Sequence, residues 1–191
     1  RPTPPSPLKT RAEFGLTSDQ VVYLSPQWLF KYLPEYDGMF ASIAQSVENA
    51  VFVFVEGQYP TWTRTFTERL RGSFENVGLE ADRFLHFVPR QDYQDFLNLN
   101  AVSDVFLDPI GGWSAGMTAL DALACGLPVV TLPGTSMRGR MGSGMLRFMG
   151  VEDTIATDID DYRNLAIVLG KEPQRRAELS GRLRDRCHLL F

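Results

Sequence analysis

The stretch Val102–Gly134, VSDVFLDPIGGWSAGMTALDALACGLPVVTLPG, constrains the fold more than any other part of the chain. A β-rich run, Val102–Leu107, ends in a carboxylate, Asp108. A loop with Gly111, Gly112 and Gly116 follows, then an apolar helix that carries one acid, Asp121. Gly126 stops the helix and Leu127–Leu132 begins the next strand. A strand–glycine loop–helix–strand unit sets free backbone N–H groups and a helix N-terminus beside the strand ends, which suits phosphate. Asp121, on the first turns of that helix, is placed to reach a ribose.

Comparable apolar runs recur at Val21–Leu24, Val51–Val55, Phe84–Val88 and, more weakly, Thr154–Thr157. They are near-continuous rather than alternating, as in strands buried on both faces of a parallel sheet. Helical patterns separate them. Phe40, Ile43, Ala44 and Val47 share one face, and Phe66, Leu70, Phe74 and Val77 share another that ends at Gly78. Asp92–Leu99, Ala115–Cys125, Gly139–Met149, Asp161–Leu169 and Glu172–Leu190 fit further helices. The alternation predicts an α/β fold, a Rossmann-like doubly wound parallel sheet. Residues 1–15, opening with the proline-rich Arg1–Pro7, read as a linker or lead-in segment, and 16–191 as one domain.

With 191 residues and a net charge of −4, the chain shows no basic surface of the kind that binds nucleic acid. No apolar run reaches membrane-spanning length. The two cysteines, Cys125 and Cys187, lack CxxC spacing and suit a reducing compartment. The chain begins at Arg1 and is read as a fragment.

In doubly wound sheets ligands bind beyond the carboxyl ends of the strands. There the sequence puts Ser25, Gln27 and Lys31 after the first strand, and Glu56, Gln58, Tyr59 and Trp62 after the second. Pro89, Arg90 and Tyr93 follow the third, Asp108 through Thr118 the fourth, and Pro133, Gly134, Thr135 and Arg140 the fifth. Hydroxyls, glycines, cations and aromatics together suit a nucleotide that bears phosphates.

SPQWLFKYLP (Ser25–Pro34), DVFLDPIGGWSAGMTALDALACGLPVVTLPG (Asp104–Gly134), the Arg140–Gly150 segment and KTRAEFGL (Lys9–Leu16) resemble the C-terminal, nucleotide-binding half of the O-linked N-acetylglucosamine transferase family. The likeness covers essentially the whole chain and is nearest to bacterial-type members. It implies one half of a two-domain (GT-B type) glycosyltransferase, with the N-terminal catalytic half and tetratricopeptide repeats outside this chain. It further implies an inverting, metal-independent enzyme of the cytoplasm, with no cofactor beyond its UDP-sugar donor. Such an enzyme transfers N-acetylglucosamine to Ser or Thr of an acceptor protein. Its partners are the UDP-sugar, the acceptor and its own N-terminal domain, with no nucleic acid and no membrane.

The resemblance gives Lys31 the position of the lysine that contacts the diphosphate, where a fixed ammonium stabilises the leaving group. Asp121 matches the acid on the ribose hydroxyls, and Thr118 a phosphate-contacting threonine. Gly112, Ser114, Gly116 and Met117 complete the implied phosphate loop. Gly116, Met117 and Thr118 stand where animal members have His-Thr-Thr, so a histidine and one hydroxyl are missing. Backbone amides and Ser114 are then expected to supply the contacts. Tyr93 falls near a histidine that packs on uracil, with Pro89 beside it; Gln27 is expected to touch the ligand and Trp28 to serve as packing. By residue type alone, plainer explanations compete. Most lysines are simply solvated, an acid in a first turn faces the helix dipole, and Thr118 or Ser114 can cap the helix.

Other motifs carry less. Asp158-Ile159-Asp160 has metal-binding spacing, but it precedes DYRNLAIVLG, where acids cap a helix. Two histidines, His86 and His188, give neither a metal cluster nor a nucleophilic triad. Asp104 and Asp108 read as strand-edge and loop-turn residues. UDP-glucose as donor, asparagine as acceptor, or a degenerate interaction domain without catalysis remain alternatives.

Overall fold

Strands form where uninterrupted β-branched and aromatic runs can be buried on both faces. The computed structural model describes residues 2–6 and 8–191. Its strands are β1 (Val21–Leu24), β2 (Ala50–Val55), β3 (Leu85–Val88), β4 (Val105–Leu107) and β5 (Val129–Val130). They pair in parallel in the order β3-β2-β1-β4-β5. Between and after them lie α1 (Asp37–Ser46), α2 (Pro60–Glu75), α3 (Tyr93–Val102), α4 (Met117–Ala124), α5 (Met141–Met149), α6 (Ile159–Lys171) and α7 (Pro173–Arg186). This is the doubly wound α/β sheet expected from the alternation. The chain winds outward from central β1 to β2 and β3, then returns to β4 on the other side, Tyr23 facing Val105 and Leu24 facing Phe106. The switch point therefore lies between β1 and β4, the place where such sheets bind ligands.

Several boundaries move. Val102 ends α3 instead of opening a strand, because the Ser103 hydroxyl and amide tie back to Leu99 and Asn100 carbonyls. The helix expected from Ala115 starts at Met117, since Ser114 and Ala115 are drawn to Asp108. The weak sixth strand shrinks to one bridge, Thr131 with Ile155. The last helix stops at Arg186, and Cys187–Leu190 tightens into a 3-10 turn. Asp158 caps α6 by accepting the Asp161 amide at 2.8 Å, and Asp160 pairs with Arg163 at 3.1 Å, so both acids serve that helix.

The lead-in segment is docked rather than loose. Lys9 Nζ meets Asp95 at 2.6 Å, and Phe14 is buried. Thr10 and Glu13 form a capping box on the turn Arg11–Phe14. Arg11 reaches the Val102 and Gln20 carbonyls and Asp104, whose carboxylate accepts the Val22 amide at 2.7 Å. Asp104 thus fastens the lead-in turn to the base of the sheet, a larger role than a strand-edge acid. Arg1 and Pro7, the ends of the proline-rich stretch, lie outside the described residues.

The core divides by chemistry. Around β2, Phe40, Phe52, Phe54, Phe66 and Phe74 pack with ring centroids 5.1 to 6.2 Å apart. Around α4 many of the buried residues are alanines, Ala115, Ala119, Ala122 and Ala124, beside Leu123 and Asp121.

Candidate functional site

The polypeptide after β1 and the loop after β4 meet at the switch point. Lys31, at the end of a 3-10 turn (Leu29–Lys31), donates from Nζ to Gln27 Oε1 at 2.7 Å. Gln27 Nε2 donates to Thr118 Oγ1 on the first turn of α4. Three expected site residues from distant parts of the sequence therefore form one relay. Gln27 is 4% exposed, so its amide spans the two walls with no slack. Burial lowers the Lys31 pKa while the Asp108 charge raises it, so an anion beside the ammonium would relieve the desolvation.

At its N-terminus α4 has Gly116 and no side-chain cap. Its first intrahelical donor is Leu120, which reaches the Gly116 carbonyl at 3.1 Å. The leading amides, Met117, Thr118 and Ala119, are the kind of open donors that hold anions. Thr118 does not cap the helix, because its hydroxyl belongs to the relay.

A cleft of about 390 Å³ opens beside this junction. Gln27, Trp28, Glu56, Arg90, Tyr93, Thr118 and Asp121 are among its lining residues. Tyr93 donates its hydroxyl to Asp121 Oδ1 at 2.9 Å, which brings the expected base and ribose residues together. Burial raises the Asp121 carboxyl above the ordinary aspartate value, and the Tyr93 hydrogen bond opposes the rise. Trp28, expected as packing, is 42% exposed, lines the cleft and carries the Arg90 guanidinium 5.1 Å from its ring.

The remaining expected residues are placed differently. Gly111 and Gly112 take φ of +94° and +103°, which side chains rarely adopt, and a Cβ on Gly111 would lie 2.5 Å from Leu33. These turns carry Trp113 between Lys31 Nζ at 5.5 Å and the Arg138 guanidinium at 4.5 Å from its ring. Met117 is exposed at the helix start. Pro89 is exposed, and its carbonyl accepts the Gln91 side chain at 2.6 Å. Ser114 departs from its expected part as a phosphate donor. Its hydroxyl is buried, donates to Asp108 at 2.6 Å and accepts the Gly142 amide at 2.9 Å. Asp108, read as a loop-turn acid, is instead a buried hub with three donors on its carboxylate. Its place directly after a strand was the only signal in the sequence.

Residues 4–189 match the profile of glycosyl transferase family 41. The chain belongs to that family. It is 25% identical over 178 residues to the UDP-N-acetylglucosamine–peptide N-acetylglucosaminyltransferase of Caenorhabditis elegans, covering 92% of this chain and 15% of that protein. A structure of a mutant O-GlcNAc transferase from Thermobaculum terrenum superposes with a TM-score of 0.78 at 27% identity, over 97% of this chain and 34% of that one. Sucrose-phosphate synthase of Thermosynechococcus elongatus shares the fold, with a TM-score of 0.71 and 21% identity over 95% of this chain and 44% of its own. The family 41 chain thus spans a minor part of each relative's length. Its sheet is the Rossmann-like half of a GT-B glycosyltransferase. Among the described residues no helix is long and apolar enough to cross a membrane.

Proposed function

We propose that this chain is the donor-binding domain of an inverting, metal-independent glycosyltransferase that moves N-acetylglucosamine from UDP to a Ser or Thr hydroxyl of a protein. The observation that carries this is the convergence of Lys31, Gln27 and the open N-terminus of α4 at the β1/β4 switch point. In this scheme the diphosphate lies against the α4 amides and Lys31. Charge that builds on the departing UDP meets a preorganised ammonium, which stabilises the transition state more than the bound donor. Asp121 Oδ2, which has no hydrogen-bond partner among the described residues, accepts from a ribose hydroxyl while Tyr93 holds Oδ1. The base lies in the cleft beside Tyr93 and Trp28, whose exposed rings can pack on it. The acceptor-facing wall belongs to a second, N-terminal domain, and the intact protein works in the cytoplasm.

Calorimetric titration with UDP, with ADP as control, tests the scheme. UDP should bind saturably and selectively. Lys31→Ala should weaken it by roughly 10- to 100-fold, the range for one charged hydrogen bond of about 1.5–3 kcal/mol, and Asp121→Ala should also weaken it. Absence of UDP binding by the intact protein at millimolar concentration would overturn the proposal. Robust transfer by this chain alone would overturn the division of labour between domains. Competition between UDP-N-acetylglucosamine and UDP-glucose decides the sugar.

A further inference from the structure

Asp108 takes no direct part in the scheme above, yet it sits immediately behind the phosphate loop and is 1% exposed. Its Oδ2 accepts from Ser114 Oγ and from Thr131 Oγ1, each at 2.6 Å, and its Oδ1 accepts the Ala115 amide. Ser114 in turn accepts the Gly142 amide at the start of α5. A Cβ on residue 142 would lie 2.8 Å from Asp108 Oδ2, so the carboxylate also needs that glycine. The Asp108 carbonyl accepts from Tyr162 of α6 at 2.9 Å. One side chain thereby ties the end of β4 to the glycine loop, to β5 and to the entrance of α5.

Every contact on the carboxylate is a donor, the set that an ionised acid satisfies in full. A proton there would oblige the Ser114 or Thr131 hydroxyl to turn and accept, giving up its donation to the carboxylate. Burial pushes the carboxyl up to about 6, against the pull of those donors and of Lys31. The groups facing it are Lys31 and Tyr32 after β1 and Tyr162 from α6, with the Asp37–Arg69 pair bordering the same crevice.

We propose that Asp108 is a positioning residue whose ionised carboxylate fixes the Gly111–Gly116 loop, and with it the α4 N-terminus, in the form that receives the donor's diphosphate. The inference rests on the donor-binding function proposed above, and the test separates the two. The intact protein and its Asp108→Asn variant are titrated at pH 7.5 with UDP-N-acetylglucosamine, whose esterified diphosphate does not itself titrate near neutrality. In parallel, fluorine NMR of 5-fluorotryptophan-labelled protein follows the Trp113 resonance without ligand from pH 5 to 7.5. Trp113 lies inside the loop, whereas Asp121 and Asp37, the other acids raised by burial, bond Tyr93 and Arg69.

Asp108→Asn should unfold cooperatively yet bind at least tenfold more weakly. In the unmodified protein the Trp113 resonance should titrate near the Asp108 value of about 6, and that step should vanish in the variant. Thr131→Val, which removes a donor that holds the carboxyl down, should move the midpoint upward and serves where Asp108→Asn fails to fold. A folded Asp108→Asn protein that binds within twofold of the unmodified one would overturn the inference, as would a pH-independent Trp113 resonance. If the unmodified protein binds no UDP compound, the donor-binding function falls, and the ligand-free titration still decides whether Asp108 sets the loop.

Discussion

The two sides of the sheet are held by different forces. Around β1–β3, stability comes from rings: Phe54 touches Phe40, Phe66, Phe87 and Tyr32, with centroids 5.1 to 5.7 Å apart. Around β4–β5, beside the buried Phe106, Leu107 and the alanines of α4, lies a buried polar network centred on Asp108. Ring packing is spread over many contacts, so it stabilises without depending on any single atom pair. Hydrogen bonds to a buried acid are directional and single-copy, so they fix atoms but fail when one partner is lost. The glycine loop and the open helix N-terminus both lie on the polar side. Stability and positioning have been assigned to different halves of one sheet.

Breaking the aromatic side should cost most. Phe54→Ala is expected to destabilise by about 3–5 kcal/mol, as large core deletions do. Chemical denaturation measures the loss, and the surviving folded protein should keep its UDP affinity. A change in affinity as large as the change in stability would erase the contrast between the halves.

Thr131→Val sharpens it from the other side. Removing one buried donor should cost about 1–3 kcal/mol, less than the ring, while weakening nucleotide binding severalfold in calorimetry. Equal affinity in the folded variant would show the network to be scaffolding only.

The smallest effect concerns pH. The Asp108 carboxyl titrates at about 6 in the folded chain, against roughly 3.9 for an unfolded aspartate. The folded state therefore binds the extra proton between these values. The contribution of this group to stability is complete below the lower value and fades as pH rises through the upper one. From pH 5 to pH 7 the unmodified protein should lose about 1 kcal/mol relative to Asp108→Asn. Paired denaturation curves of the two proteins at both pH values provide the check, and a pH-independent difference would remove Asp108 as the titrating group.

The aromatic side was legible in the sequence because its signal is local: Val51–Val55 and the Phe66, Leu70, Phe74 face announce themselves within a few residues. The relay was legible in part, since resemblance to a family pointed to Lys31, Gln27, Thr118 and Asp121 without showing that the first three touch. The polar hub was not. Asp108 meets Thr131 across 23 positions, and Ser114 meets Gly142 across 28. No periodicity marks such pairs, and an aspartate before proline and glycine reads as a turn. Trp28 packs on Phe30 and Trp62 as expected, and only the tertiary cleft shows that it also keeps an exposed face.

The β1–β4 pairing has a consequence for how the protein comes to be folded. Its register joins Tyr23 to Val105, whereas β2 joins strands nearer in sequence on its side of the sheet. Parallel partners so far apart must close a long chain before any contact rewards the closure. We therefore expect the aromatic side to acquire protection first and the two walls of the cleft to meet late. Pulse-labelled amide exchange would show Phe52–Val55 protected ahead of Val105–Leu107, and simultaneous protection would sink the idea. A polypeptide emerging in order would then carry a formed hydrophobic core for some time before it has anywhere to put a nucleotide.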